Sequence, residues 1–151
     1  MAMDDLPTLD AQFCFALYSA LHAVTRAYRP VLAELGLTYP QYLVMLLLWE
    51  EGEQSVGSLA ARVQLESSTL TPLLKRLESQ GLVTRRRNPA SERQVIVALT
   101  ESGRALQTRA GAMPATLLRA AACPPEQLAA MRDGLMQIRD SIDSSLRSTQ
   151  N

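Results

Sequence analysis

Apolar residues recur every three or four positions between Asp10 and Tyr28, at Phe13, Leu17, Leu21 and Val24, which predicts an amphipathic helix ending before Pro30. A short segment, Val31 to Leu35, and a break at Gly36 follow it. Thr38 is then placed to cap a helix from Tyr39 to about Glu51, with Pro40 in its first turn. That helix is apolar nearly all round, so it belongs to the core. Gly52 ends it, and Ser55 to Gly57 open a helix that carries Leu59, Ala60 and Val63 and ends near Gln64. Glu66, Ser67 and Ser68 offer cap side chains to the next helix, whose Leu70, Leu73, Leu74 and Leu77 share one face and which Gly81 closes. Two short helices joined by a tight turn read as a helix-turn-helix.

The period then changes. Leu82 to Arg87 and Gln94 to Leu99 alternate polar and β-branched residues around Asn88, Pro89, Ala90 and Ser91, a hairpin with a basic rim. Thr100 starts a long helix toward Ala122, expected to bend near Pro114, and Pro124 and Pro125 break it and begin a last helix to about Leu146. The last helix bears Leu128, Met131, Leu135, Ile138, Ile142 and Leu146 as a stripe over five turns. Three long terminal helices outside the winged unit present more apolar surface than so small a chain covers by itself, which predicts a two-fold homodimer. The expected fold is mainly α with a small β-hairpin wing. Residues 1–151 form a single domain, with about 38–99 as the winged helix-turn-helix and about 10–35 and 100–146 as dimerisation helices.

At 151 residues, 47% of them hydrophobic, the chain suits one globular unit. No run of about 18 apolar residues exists to cross a membrane. The segment Met1 to Asp10 has three aspartates and no Lys or Arg, the opposite of a secretory leader, so a cytoplasmic location is expected. His, Cys and carboxylates do not cluster at ligand spacing, so no metal or other cofactor is implied.

Formal net charge is zero, so a nucleic-acid signal must be local. Lys75, Arg76, Arg85, Arg86, Arg87 and Arg93 stand against Glu78 and Glu92, a local excess of four positive charges across the end of the second short helix and the hairpin. Such a run is often only a solvated face, but its place here suits a recognition helix and a wing. Ser67, Ser68, Thr69 and Thr71 supply short polar side chains where the helix would approach base edges. Four hydroxyl residues in five positions exceed what one helix cap requires. Lys75 and Arg76 are placed for phosphates, with Arg85 and Arg86 on the hairpin, and Arg93 is placed at a wing tip suited to a narrow minor groove.

The stretch LESSTLTPLLKRLESQGL, followed by VTRRRNPASERQVIVALTESG, resembles the MarR family of bacterial regulators over about Asp10 to Leu146. The resemblance implies a winged-helix dimer that binds a near-palindromic operator on double-stranded DNA, usually as a repressor. One feature departs from the family pattern: where the wing usually reads Asp-x-Arg, this chain has Ser91, Glu92 and Arg93.

Two cysteines, Cys14 and Cys123, are too few for a disulfide scaffold, which leaves packed thiols or redox-active ones. FCFALYSA near the start, Tyr28, and then TYPQYLVMLLLWE resemble the organic-hydroperoxide-sensing subgroup of that family, the OhrR type. This resemblance implies that Cys14 is the peroxide sensor and that Tyr28 and Tyr39 hydrogen-bond it across the dimer. By likeness to two-cysteine members, it also implies that Cys123 resolves the oxidised Cys14 into an intersubunit disulfide. Thiolate attack on peroxide and its stabilisation by phenol donors make chemical sense of that set. Three other readings remain open. They are a repressor released by a small phenolic ligand, a thiol peroxidase, and an adaptor that binds protein. The lone His22, two turns along from Cys14 and on the polar flank, argues against the peroxidase.

Overall fold

In the computed structural model the first helix, α1, spans Phe13–Leu35 and passes through Pro30 instead of stopping before it. Proline removes the N–H that would bond the carbonyl of Arg26. Arg26 and Pro30 are both exposed, so that carbonyl lies on the solvent side of the helix, while Leu32 and Leu35 beyond the proline are buried and hold the last turn in place. Gly36, with φ of 68°, then closes the helix, and Leu37 N–H donates to the Leu32 carbonyl at 3.0 Å. The structure describes residues 8–149. Most of the acidic N-terminal segment, residues 1–7, lies outside the described residues, as do 150–151.

The chain divides into two compact units, Met1–Met113 and Pro114–Asn151. The first contains, after a 3-10 turn at Leu9–Ala11 and α1, α2 (Tyr39–Glu51), β1 (Gln54–Ser55), α3 (Val56–Arg62), α4 (Ser67–Ser79), β2 (Val83–Asn88), β3 (Ser91–Leu99) and α5 (Glu101–Ala110). α2 begins with a reciprocal cap: Thr38 Oγ1 accepts from Gln41 N–H at 3.3 Å, and Gln41 Oε1 accepts from Thr38 N–H at 2.9 Å. It supplies Val44, Met45 and Leu48 to the core, where they meet Leu59 of α3, Leu70, Leu74 and Leu77 of α4, and Val83 and Val97 of the sheet. The last turn of α4 closes on Gly81, φ 74°, with Gly81 N–H on the Glu78 carbonyl and Leu82 N–H on the Leu77 carbonyl at 3.0 Å.

The hairpin is longer than its alternation suggests, since β3 begins at Ser91 and not at Gln94. Arg87 lies opposite Val95 but Asn88 opposite Ser91, so Glu92, Arg93 and Gln94 form an irregular bulge. A third strand, β1, was not expected. It adds two residues to the free edge of β3, giving the order β1-β3-β2.

The long helix expected from Thr100 to Ala122 is two helices. α5 ends at Ala110 and α6 runs Met113–Ala121, with Pro114 in its first turn, where the missing N–H has no intrahelical partner to lose. In α5, Gly103 is buried, and its carbonyl accepts from Trp49 Nε1 at 2.8 Å. A Cβ there would overlap the Leu82 carbonyl oxygen, a rigid backbone atom. Gly103→Ala is therefore expected to cost about 2–3 kcal/mol, read as a lower urea midpoint with unchanged slope. An unshifted midpoint would show that α5 is not seated this closely. The second unit holds α6 and α7 (Pro125–Thr149), and Met131, Leu135, Met136, Ile138, Ile142 and Leu146 of α7 stay exposed.

Candidate functional site

At the start of α4 the cap position falls to Glu66, which makes no side-chain cap bond. Ser67 and Ser68, expected as possible caps, are inside the helix. The hydroxyls of Ser67, Ser68 and Thr69 are exposed and make no hydrogen bond among the described residues, whereas Thr71 Oγ1 donates to the Ser67 carbonyl at 2.9 Å. The helix thus opens with donor and acceptor side chains facing outward beside its free backbone N–H groups, a surface suited to base edges and phosphates.

Ser67 and Thr71 line one wall of a cleft of about 370 Å³, with Arg85, Arg93 and Gln94 of the hairpin across from them. The tip of the wing is Pro89 and Ala90, held by Ala90 N–H donating to Asn88 Oδ1 at 3.0 Å. Arg93 lies past the tip, in the bulge, and Asn88 Nδ2 donates to Gln94 Oε1 at 2.7 Å beside it. Lys75, Arg76 and Arg93 form no ion pair among the described residues. Arg76 lines a different cleft, of about 500 Å³, with Gly36 and Thr38.

Arg85 and Arg86, expected as free DNA contacts, each have a carboxylate partner. Arg85 pairs with Glu78 at 3.0 Å and Arg86 with Glu53 at 2.9 Å. Arg87 Nη1 donates to the Glu92 carbonyl at 3.1 Å. The hydrogen bond from Arg85 is the main reason the Glu78 carboxyl sits below the usual carboxylate range. Counting charges along the chain missed both pairings. The one available signal was that Glu78 lies in the last turn of α4, seven residues before Arg85, across a glycine turn.

Cys14 is exposed in the first turn of α1, among Phe13, Leu17, Tyr18 and Leu21, which are exposed as well. His22 packs against Tyr18 with ring centroids 4.2 Å apart and the planes tilted by 46°. It lies eight residues from Cys14, roughly 12 Å along a helix, and so is no base for the thiol of its own chain. Tyr28 and Tyr39 are brought together, with rings stacked at 5.8 Å and 13° between planes. Tyr42 and Trp49 extend the aromatic row at 6.2 and 6.4 Å. Burial pushes the phenols of Tyr28, Tyr39 and Tyr42 up, and mutual repulsion adds to this at Tyr28 and Tyr42, so all three keep their protons as donors. None of the three hydroxyls makes a hydrogen bond among the described residues. Cys123 is half-buried in the joint between α6 and α7, directly after Ala122, whose φ of 50° is unusual for a residue with a side chain. Among the described residues no group of three or more His, Cys, Asp or Glu could hold a metal, and no single helix is long and apolar enough to cross a membrane.

A helix-turn-helix with an exposed hydroxyl-rich second helix and an adjoining basic hairpin defines a DNA-binding transcriptional regulator of the winged-helix kind. A family model described as the transcriptional regulator SarA/Rot matches residues 26–109. The chain is 46% identical over 147 residues to the HTH-type transcriptional regulator TtmR of Methylorubrum extorquens, covering 97% of this chain and 75% of that protein. It is 40% identical over 134 residues to the organic hydroperoxide resistance transcriptional regulator of Bacillus subtilis, covering 89% of this chain and 91% of the relative. Among solved structures, reduced AbfR bound to DNA is 36% identical with a TM-score of 0.72, over 89% of this chain and 94% of that one. The chain belongs to the SarA/Rot family of transcriptional regulators, with the MarR-type winged-helix fold. These relatives are regulators and not enzymes, which answers the peroxidase reading.

Proposed function

We propose that the chain is a homodimeric, cytoplasmic repressor that binds a near-palindromic operator when reduced and leaves it when an organic hydroperoxide oxidises Cys14. The observation that carries this reading is the separation of Cys14 from the tyrosines. Cys14 and Tyr28 are fourteen residues apart on one helix, roughly 21 Å, so phenol and thiol of the same chain cannot meet. We read both as groups that meet a second copy. The thiol stands on an exposed apolar face, and the stacked phenols still have hydrogen bonds to give. The likeness to a hydroperoxide resistance regulator points to the same chemistry. Ser67, Ser68, Thr69 and Thr71 read bases, and Lys75, Arg76 and Arg93 hold phosphates.

In the chemical step the Cys14 thiolate attacks the terminal oxygen of the hydroperoxide and the O–O bond breaks. The alkoxide leaves as an alcohol with a proton from a tyrosine phenol or water, and Cys14 becomes a sulfenic acid. The Cys123 thiol of the other subunit then attacks that sulfur, releasing water and forming a disulfide that couples the sensor helix to the α6–α7 joint. Non-reducing electrophoresis tests the pairing. After one equivalent of cumene hydroperoxide, wild type is expected to run as a covalent dimer, and Cys123→Ser to run as a monomer whose sulfenic acid further equivalents overoxidise irreversibly. A wild-type protein that loses its thiols without cross-linking would remove Cys123 from the mechanism.

A second reading has one specific observation behind it. Leu21, His22, Thr25, Arg26, Arg29 and Tyr39 line a cleft of about 500 Å³, large enough for a small aromatic ligand. Release by such a ligand would need neither cysteine and would ignore reductant.

A further inference from the structure

We propose that Arg85 and Arg86 do not contact DNA but hold the wing at a fixed height beside the recognition helix, and that Arg93 is the charge the wing presents to phosphate. The inference rests on the DNA-binding reading above and assigns separate tasks to arginines that look equivalent in sequence.

The geometry begins with β2. It is an edge strand, paired only with β3, so alternate backbone N–H groups point away from the sheet. The outward N–H of Arg85 donates to Glu78 Oε2 at 3.1 Å. The guanidinium of the same residue donates to Oε1 from Nη2 at 3.0 Å and from Nε at 3.3 Å. One carboxylate at the end of α4 therefore grips the main chain and the side chain of β2 together, and both its oxygens are occupied. Consecutive strand residues face opposite sides. Arg86 accordingly turns away from α4, and its Nη2 donates to Glu53 Oε2, in the loop between α2 and β1, at 2.9 Å. β2 is pinned on its α4 side by one ion pair and on the other by a second.

A cation already neutralised by a carboxylate releases no counterion when it approaches DNA unless it abandons that partner. Arg85 and Arg93 both line the α4–wing cleft with Ser67 and Thr71, where a phosphate between helix and wing would sit, but the guanidinium of Arg85 is held by Glu78 whereas Arg93 has no such partner among the described residues. The lowered Glu78 carboxyl agrees with a pair that stays ionised at neutral pH.

Fluorescence anisotropy with the full chain and its operator, across a series of salt concentrations, separates the roles. Arg93→Gln is expected to flatten the slope of log affinity against log salt by roughly 0.9 per phosphate, about 1.8 for the two wings of a dimer. Arg85→Gln, Arg85→Lys and Glu78→Gln are each expected to weaken binding by up to about tenfold with the slope unchanged, and the Arg85→Gln/Glu78→Gln double variant to be no weaker than either single. The proposal is overturned if Arg85→Lys matches wild type, Glu78→Gln is neutral or tighter, and Arg85→Gln flattens the slope, because Arg85 would then be a phosphate contact. It is equally overturned if Arg93→Gln leaves the slope alone. Wild type that binds no operator at any salt would instead sink the DNA-binding reading, before any variant is compared.

Discussion

Cys14→Ser protein binds its operator as tightly as reduced wild type and keeps it after organic hydroperoxide is added, under conditions where wild type loses at least about a hundredfold in affinity. The substitution exchanges sulfur for oxygen on an exposed side chain, so the fold and the distant helix-turn-helix are left as they were. What disappears is the nucleophile, because a serine hydroxyl does not ionise near neutral pH and does not attack peroxide. A hundredfold loss corresponds to about 2.7 kcal/mol of differential binding, within the range over which one ligand biases two states of a regulator. Titration of the operator with Cys14→Ser, with and without cumene hydroperoxide, reads the effect directly. If the variant still lets go, another group senses the signal. If it fails to bind when reduced, the residue is structural.

Ile142→Glu is expected to split the dimer and to lower operator affinity by more than a hundredfold. Ile142 is 54% exposed in the isolated chain, and its neighbours along α7, Ile138 and Leu146, are similarly open. Six large apolar residues are exposed on this one helix, the surface that we propose a second copy covers. Two-fold symmetry repeats the change at the interface. Each copy forfeits roughly 1.5–3 kcal/mol of isoleucine burial and adds an unpaired carboxylate to be desolvated. A monomer then reaches only one half-site and loses the gain from simultaneous engagement of two. Sedimentation measures the first effect and operator titration the second. Helix content should stay unchanged, because Ile142 is more than half exposed in the single chain and a glutamate there is a good helix former. An Ile142→Glu protein that sediments as a dimer at micromolar concentration would place the interface elsewhere.

Much of this architecture can be read from the sequence because the signals are local. Thr38, Pro40 and Gly52 bracket α2 at the residues where the helix begins and ends, and Gly81 stops α4 because only a left-handed residue lets Leu82 turn back to bond Leu77. What escapes sequence reading depends on the rest of the chain. Pro30 ordinarily ends a helix, yet burial of Leu32 and Leu35 outweighs one lost hydrogen bond. β1 has two residues and no periodicity of its own, and it exists because β3 offers it an edge. The thiol and the phenols were found by resemblance, but the separation of Cys14 from Tyr28 along α1 follows from helix rise alone. Charge was the least legible feature. The sum over Lys75 to Arg93 is correct as arithmetic, but Glu53 lies thirty-three residues from Arg86 and gives no sign in the sequence that it takes that arginine.

The measurement that bears most directly on the redox switch is a gel shift of an operator from the gene's own upstream region, using reduced wild-type protein, a few equivalents of organic hydroperoxide, and then dithiothreitol. The expected result is binding, release, and binding restored by the thiol. Binding that persists through the hydroperoxide would contradict the switch, leaving neither cysteine a part in the signal and the α1–α2 cleft as the place to look for one.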